Sequence, residues 1–139
     1  MIGVNPELSA FIARIDAAQE EFAHGRPGDF KSLWAHTDDV TLAGGLGGLV
    51  EVGWAKVGAR LDWASSNYAE GERSNETIGS LVGGDLAYLV RREIIEGKIS
   101  GARSTQELRV TMVFRRDSDG WRIVHRHADS QIGVSGSRP

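Results

Sequence analysis

The chain has 139 residues, with 16 lysines and arginines against 19 aspartates and glutamates, a net charge of −3 and no cysteine. That length suits one domain with a full hydrophobic core, the near-balanced charge without a basic block argues against a nucleic-acid surface, and the missing cysteines exclude disulfides and thiolate metal sites. No apolar run approaches a membrane span, and the first residues lack the basic start and apolar centre of a secretion signal, so the expectation is a soluble, cytoplasmic single domain over residues 1–132 with a flexible tail at 133–139.

Asn5-Pro6-Glu7 reads as a helix start, with a capping side chain, proline at the first helical position and an acid near the positive end of the dipole. Leu8, Phe11, Ile12, Ile15, Ala18 and Phe22 then follow helical spacing, and Gly25 stops the run. Gly28-Asp29 opens a short second helix with Phe30, Leu33 and Trp34; Asp38-Asp39 ends it, and residues 40–43 read as a short strand. The glycine-rich stretch 44–48 lacks the Lys-Ser/Thr of a phosphate loop and reads as a lip over a cavity mouth. Trp54, Val57, Leu61, Ala64 and Tyr68 mark a third helix that ends near Gly71. Residues 77–82 and 86–95 look like strands joined at Gly83-Gly84-Asp85, and a Gly- and Ser-containing loop over 96–105 leads to the last segment.

That segment, residues 108–129, alternates on both sides of an Asp119-Gly120 turn signal and reads as a long β-hairpin. An even loop would put Leu108, Val110, Met112, Phe114, Trp121, Ile123, His125 and His127 on one face, and Arg109, Thr111, Val113, Arg115, Arg122, Val124, Arg126 and Ala128 on the other. An odd loop would exchange one set. Helices segregated from consecutive antiparallel strands mean an α+β fold. Three helices against one face of a curved sheet of roughly four or five strands would enclose a hollow.

This order resembles the nuclear transport factor two-like superfamily of ketosteroid isomerases and SnoaL-like polyketide cyclases over roughly residues 5–130. The resemblance rests on Gly28-Asp29, Asp38-Asp39-Val40-Thr41, Gly84-Asp85-Leu86-Ala87-Tyr88 and Trp121-Arg122-Ile123-Val124-His125-Arg126-His127. Leu46-Gly47-Gly48-Leu49-Val50-Glu51 and Arg115-Arg116-Asp117…Trp121…His125-x-His127 are similar to the association domain of calcium/calmodulin-dependent kinase type two. The resemblance implies a cone-shaped, cystatin-like α+β roll, a homodimer built on sheet faces, and a pocket lined by arginines and an aromatic side chain. The general base of the ketosteroid isomerases has no counterpart at Ala43-Gly44-Gly45, and their oxyanion groups fall near Glu20 or Glu21 and near Val110 or Thr111, so steroid isomerase chemistry is not implied.

Three groups of residues carry candidate chemistry. Arg91, Arg109 and Arg126 offer bidentate guanidinium recognition of a carboxylate or phosphate, and the kinase-domain resemblance points to the same face; the plain alternative is surface arginines paired with Glu93 and Glu107. Trp34 and Trp63, with Trp54, are candidates to wall the cavity, although tryptophans of this kind are commonly plain core. His125, His127 and Asp129 alternate on one strand, about 7 Å apart, where two imidazoles and a carboxylate could grip a metal or serve as acid/base groups, the plain alternative being ordinary interface residues. Neither a metal nor a cofactor is expected. The reading is a small-molecule-binding protein with a pocket for an anionic or aromatic ligand, working as a homodimer without nucleic acid or membrane. The alternatives are an isomerase, cyclase or dehydratase using His125, His127 or Asp129, and an oligomeric assembly module.

Overall fold

The computed structural model describes residues 5–132; the tail expected at 133–139 lies outside the described residues. Asn5 caps α1 (Pro6–Phe22) by accepting a hydrogen bond from the Leu8 amide at 3.0 Å, as its place before Pro6 requires. Leu8, Phe11, Ile15, Ala18 and Gln19 form the buried stripe of that helix. A short α2 (Gly28–Ser32) follows, and the segment after it is stitched to the sheet by the Ala35 amide on the Ile123 carbonyl and the Ile123 amide on the Leu33 carbonyl, both 2.9 Å. Then come β1 (Thr41–Ala43), β2 (Glu51–Val52) and α3 (Trp54–Ser65), followed by four long strands, β3 (Tyr68–Gly83), β4 (Leu86–Ile99), β5 (Ala102–Asp117) and β6 (Gly120–Ser130).

The sheet has six strands in the order β2-β1-β6-β5-β4-β3, more than the roughly four or five expected. It is also not wholly antiparallel, because β1 runs parallel to β6, with Thr41 beside His125. The core fills the space between the helices and the concave face of the sheet. Phe11 meets Phe114 edge to face at 5.2 Å, and Phe30, Val57, Leu89, Met112 and Ile123 pack around them, all buried. These are α+β layers around one core, and they match the expected cone-shaped roll.

Two stretches differ from the expectation. Tyr68 does not end α3 but begins β3, and residues 96–105 are not a loop but the far ends of β4 and β5, turning at Ser100-Gly101 with φ of 51° and 85°. Both extensions meet beside the register shift of β3 against β4. At Gly97 a Cβ would stand 2.8 Å from the Glu70 carbonyl oxygen and from Gly71 Cα, beside a register shift between Ala69 and Glu72. Glycine there lets β4 pass under the bulged β3 and fold the sheet over the end of α1.

Candidate functional site

A bulge in the last strand decides which side chains reach the hollow. Between Ile123 and His125 the β5–β6 register slips by one: Phe114 pairs with Ile123 but Val113 with His125, leaving Val124 unpaired. On the turn side of the slip the even-loop pattern holds, and Trp121 and Ile123 face inward with Phe114. Beyond it the sets exchange. Arg126 and Ala128 turn inward to join Leu108, Val110 and Met112, while His125, His127 and Asp129 turn outward with Arg109 and Thr111.

The inward arginines gather around one carboxylate. Glu93, fully buried on β4, accepts from Arg126 Nη2 (2.8 Å) and Nη1 (3.1 Å), Arg73 Nη2 (2.9 Å) and Arg91 Nε (3.0 Å). Gln19 Oε1, from the buried stripe of α1, accepts from Arg91 at 2.6 Å and Arg73 at 3.1 Å. Arg91 also donates to Asp16, which stands at the solvent edge, at 2.6 Å. Burial by itself would raise the Glu93 carboxyl pKa; the Arg126 and Arg73 charges, the Arg126 hydrogen bonds and the Arg91 charge outweigh it and hold the group well below its usual range. Burial pushes the Arg73 guanidinium down, and its Nε is left without a hydrogen-bond partner.

Above this cluster lies a recess of about 50 Å³. Arg126, Arg73, Gln19 and Tyr68 supply its polar side; Phe22, Phe30, Leu42, Leu61, Ile95 and Leu108 supply most of its apolar wall. Ala23, residues 44–46, and Arg60 and Ala64 of α3 complete its lining. The buried Tyr68 hydroxyl donates to Gln106 Oε1 at 2.6 Å, and Gln106 Nε2 donates to the Gly45 carbonyl at 3.2 Å, tying β5 to the glycine-rich lip. Burial pushes the Tyr68 phenol up, so it is a protonated hydrogen-bond donor at neutral pH.

The expected site residues therefore separate. Arg126 lines the recess and Arg91 braces its floor from behind. Arg109 does not join them, because it lies on the other face of the sheet, exposed, in a two-armed pair with Asp129 at 2.8 and 3.1 Å. Trp34 is not a cavity wall but packed core at 1% exposure, held edge to face by Phe30. Trp63 stands outside at 49% exposure, with the Arg60 guanidinium 4.5 Å above its ring. Trp54 stacks on His36 at 3.9 Å.

None of the four histidines, all among the described residues, lines the recess. His125 Nδ1 lies 2.7 Å from Thr41 Oγ1, and burial followed by the neighbouring His127 holds its pKa below the usual value. His127 Nε2 is 3.6 Å from Asp129, which the Arg109 hydrogen bonds hold on the acid side of its usual range. Among the described residues no group of three His, Asp or Glu side chains could hold a metal ion. No described helix is long and apolar enough to cross a membrane.

The sequence reading missed Glu93 as the organising carboxylate and did not find Arg73, Tyr68, Gln19 or Arg60. Two signals were present. Gln19 interrupts the apolar stripe of α1 at four residues beyond Ile15, and Arg91 and Glu93 occupy the same parity as Ala87, Leu89 and Ile95, so both charges had to point into the core.

Comparison with known proteins agrees with this architecture. The SnoaL-like domain model matches residues 12–132. A candidate calcium/calmodulin-dependent protein kinase type II association domain from Thiobacillus denitrificans superposes with a TM-score of 0.76 at 23% identity, over 94% of this chain and 99% of that one. A candidate dehydratase of the NTF2-like family from Streptomyces avermitilis gives 0.77 at 22%, over 91% and 95%. A ketosteroid isomerase-like protein from Erwinia carotovora atroseptica gives 0.72 at 15%, over 94% and 100%. At these identities the likeness is one of fold. A comparison with curated protein sequences finds no match.

Proposed function

The chain belongs to the SnoaL-like domain family, and from that premise we propose that it binds a small organic anion in the recess, with Arg126 and Arg73 facing the anion. One observation carries this reading: three buried or nearly buried guanidiniums, Arg73, Arg91 and Arg126, share a single buried carboxylate, Glu93. Even with Asp16 counted at the solvent edge, the cluster keeps an excess of one positive charge. Uncompensated charge in a low-dielectric site is costly, and an anion beside it relieves that cost. The apolar remainder of the wall suits a short hydrocarbon attached to the anion.

Size narrows the class further. At roughly 10–15 Å³ for each water-sized group, a partly open recess of about 50 Å³ takes about three to five such groups, the range from formate to propionate. Drug-sized ligands need roughly 300 Å³ or more, so an aromatic ligand enters only if the lip over residues 44–48 moves.

A catalytic reading now falls to Tyr68, the recess-lining phenol, because His125, His127 and Asp129 stand on the opposite face. A phenol held protonated by burial becomes an oxyanion hydrogen-bond donor once its hydroxyl turns from Gln106 to a ligand, which suits isomerase or dehydratase chemistry. That second reading requires turnover, which simple binding does not.

For assembly, a homodimer through the outer sheet face is the reading we favour. One row across that face runs Leu81, Tyr88, Val113, His125 and Thr41, and the next runs Gly79, Val90, Thr111, His127 and Ala43. These two apolar or neutral rows, bordered by the charged row of Arg92, Arg109 and Asp129, are the part of the face a partner would cover.

The binding test is thermal-shift screening with formate, acetate, propionate and benzoate, since a ligand selective for the folded state raises the melting temperature. Ala64→Phe fills the recess from α3 without touching the charge cluster. The expected result is stabilisation by the small carboxylates in the wild type, none in Ala64→Phe, and full retention in Arg109→Ala. Equal stabilisation of wild type and Ala64→Phe would place the anion elsewhere and defeat the reading.

A further inference from the structure

Three arginines line the recess, and Arg60 differs from the other two in its partners. Arg73 and Arg126 both meet Glu93, whereas among the described residues no carboxylate lies within ion-pairing distance of Arg60. Its Nη2 donates instead to the carbonyl of Gly47, in the loop between β1 and β2, while Trp63 supports the guanidinium from the other side at 4.5 Å. The loop is shaped to that guanidinium. A Cβ at Gly48 would stand 3.1 Å from Arg60 Nη1, and one at Gly44 would stand 3.6 Å from Nε. Gly47 and Gly48 take φ of 84° and 93°, a region that L side chains rarely enter. The same loop forms part of the recess lining through Gly44, Gly45 and Leu46. The Arg60–Gly47 bond therefore ties a wall of the recess to α3.

We propose that Arg60 is the gate of the recess: its guanidinium latches the loop over residues 44–48 shut, and a ligand enters or leaves when the bond to Gly47 breaks. This rests on reading the recess as an anion site. The latch is well matched to an anion. Its present acceptor is a neutral carbonyl, whereas a carboxylate can engage the guanidinium as a bidentate ion pair, so an arriving anion competes for the guanidinium and loosens the loop. Once the anion has passed to Arg126 and Arg73, the guanidinium returns to Gly47 and the loop closes again. The guanidinium rests over the Trp63 ring of the same helix, which keeps the latch side chain beside the glycine loop.

The test uses Arg60→Met, which keeps the stem and removes the fork. Arg60 is only partly buried, so the variant is expected to fold as the wild type does. Hydrogen exchange of the amides in residues 44–48 is measured without ligand, and propionate exchange is followed by NMR. With the latch gone, loop exchange and both the association and dissociation rates of propionate should rise about tenfold, the factor for one charge-assisted bond, while affinity changes much less. Arg60→Lys, which retains a donor, should restore part of the loop protection. Unchanged loop exchange in Arg60→Met overturns the gate. A faster dissociation rate with an unchanged association rate also overturns it, because Arg60 would then be a ligand contact only. Faster loop exchange in a protein whose wild type binds no propionate would support the latch and defeat the anion reading instead.

Discussion

Arg126 holds Glu93 with both arms of its guanidinium, at 2.8 and 3.1 Å, across the gap between β4 and β6 with β5 lying between them. The pair forms only because the bulge at Val124 turns Arg126 inward. Neutralising the acid leaves Arg73, Arg91 and Arg126 facing one another without their common counter-ion. Glu93→Gln is therefore expected to cost roughly 3–5 kcal/mol, the range for breaking a buried ion pair from one side. Urea unfolding of the variant and wild type checks it. Asp129→Asn, which removes the exposed partner of Arg109 on the outer face, should leave the unfolding midpoint nearly where it is.

The same carboxylate sets an acid limit. The folded-state pKa of Glu93 lies well below 4.5, and that of Asp39 lies near 2, lowered by hydrogen bonds from Arg115 and then Thr37. For both, the unfolded chain takes up protons that the folded protein refuses, so stability falls as pH drops below their ordinary values. His125, held below 6.5 by burial and by His127, adds a loss that begins earlier. Urea midpoints should decline as pH falls through about 6.5 and more steeply below about 4.5. A stability profile that stays flat across both windows would contradict the charge arrangement.

Gly97 carries the bend that brings β3 and Tyr68 over the recess. In Gly97→Ala the new Cβ would lie 2.8 to 2.9 Å from backbone atoms of residues 69–71, so the bulged strand must move. The expected loss is about 1–3 kcal/mol, the usual cost of overpacking, or several degrees in melting temperature. Gly83→Ala, where nothing lies within 4 Å, is the matched control and should leave the melting temperature within about a degree of wild type.

How much of this was readable beforehand follows from which signals are local. The caps, the apolar stripe of α1, the Gly28 helix start and the alternating runs of β4 to β6 are local patterns, and they led to the α+β cone. Tyr68 to Asn75 was not legible as strand because Glu-Gly-Glu-Arg-Ser-Asn has turn-forming composition; its strand geometry comes from pairing with β4, not from propensity. The recess suffered more. A single bulge at Val124 exchanged Arg126 with the histidines, and no residue type in the hairpin announces a slip there. Without the slip Arg109 and Arg126 share a face; with it the sheet lies between them. The missing β2 is two residues long, too short for any periodicity.

The outer face makes a separate prediction. Thr111 lies in the row between Val90 and His127, near the centre of the sheet. Thr111→Arg would place a charge on each copy at a shared two-fold contact, where like charges oppose each other. Sedimentation velocity should show a dimer for the wild type and a monomer for the variant. A wild-type monomer at high micromolar concentration would rule out this interface.

The most direct test of the anion site is a crystal structure with a carboxylate such as propionate bound. The account predicts its oxygens within hydrogen-bond distance of Arg126 and Arg73, and its carbons against Leu42, Leu61 or Leu108 beneath the glycine loop. Density beside Arg109 and His127 on the outer face, with the recess unchanged, would contradict it.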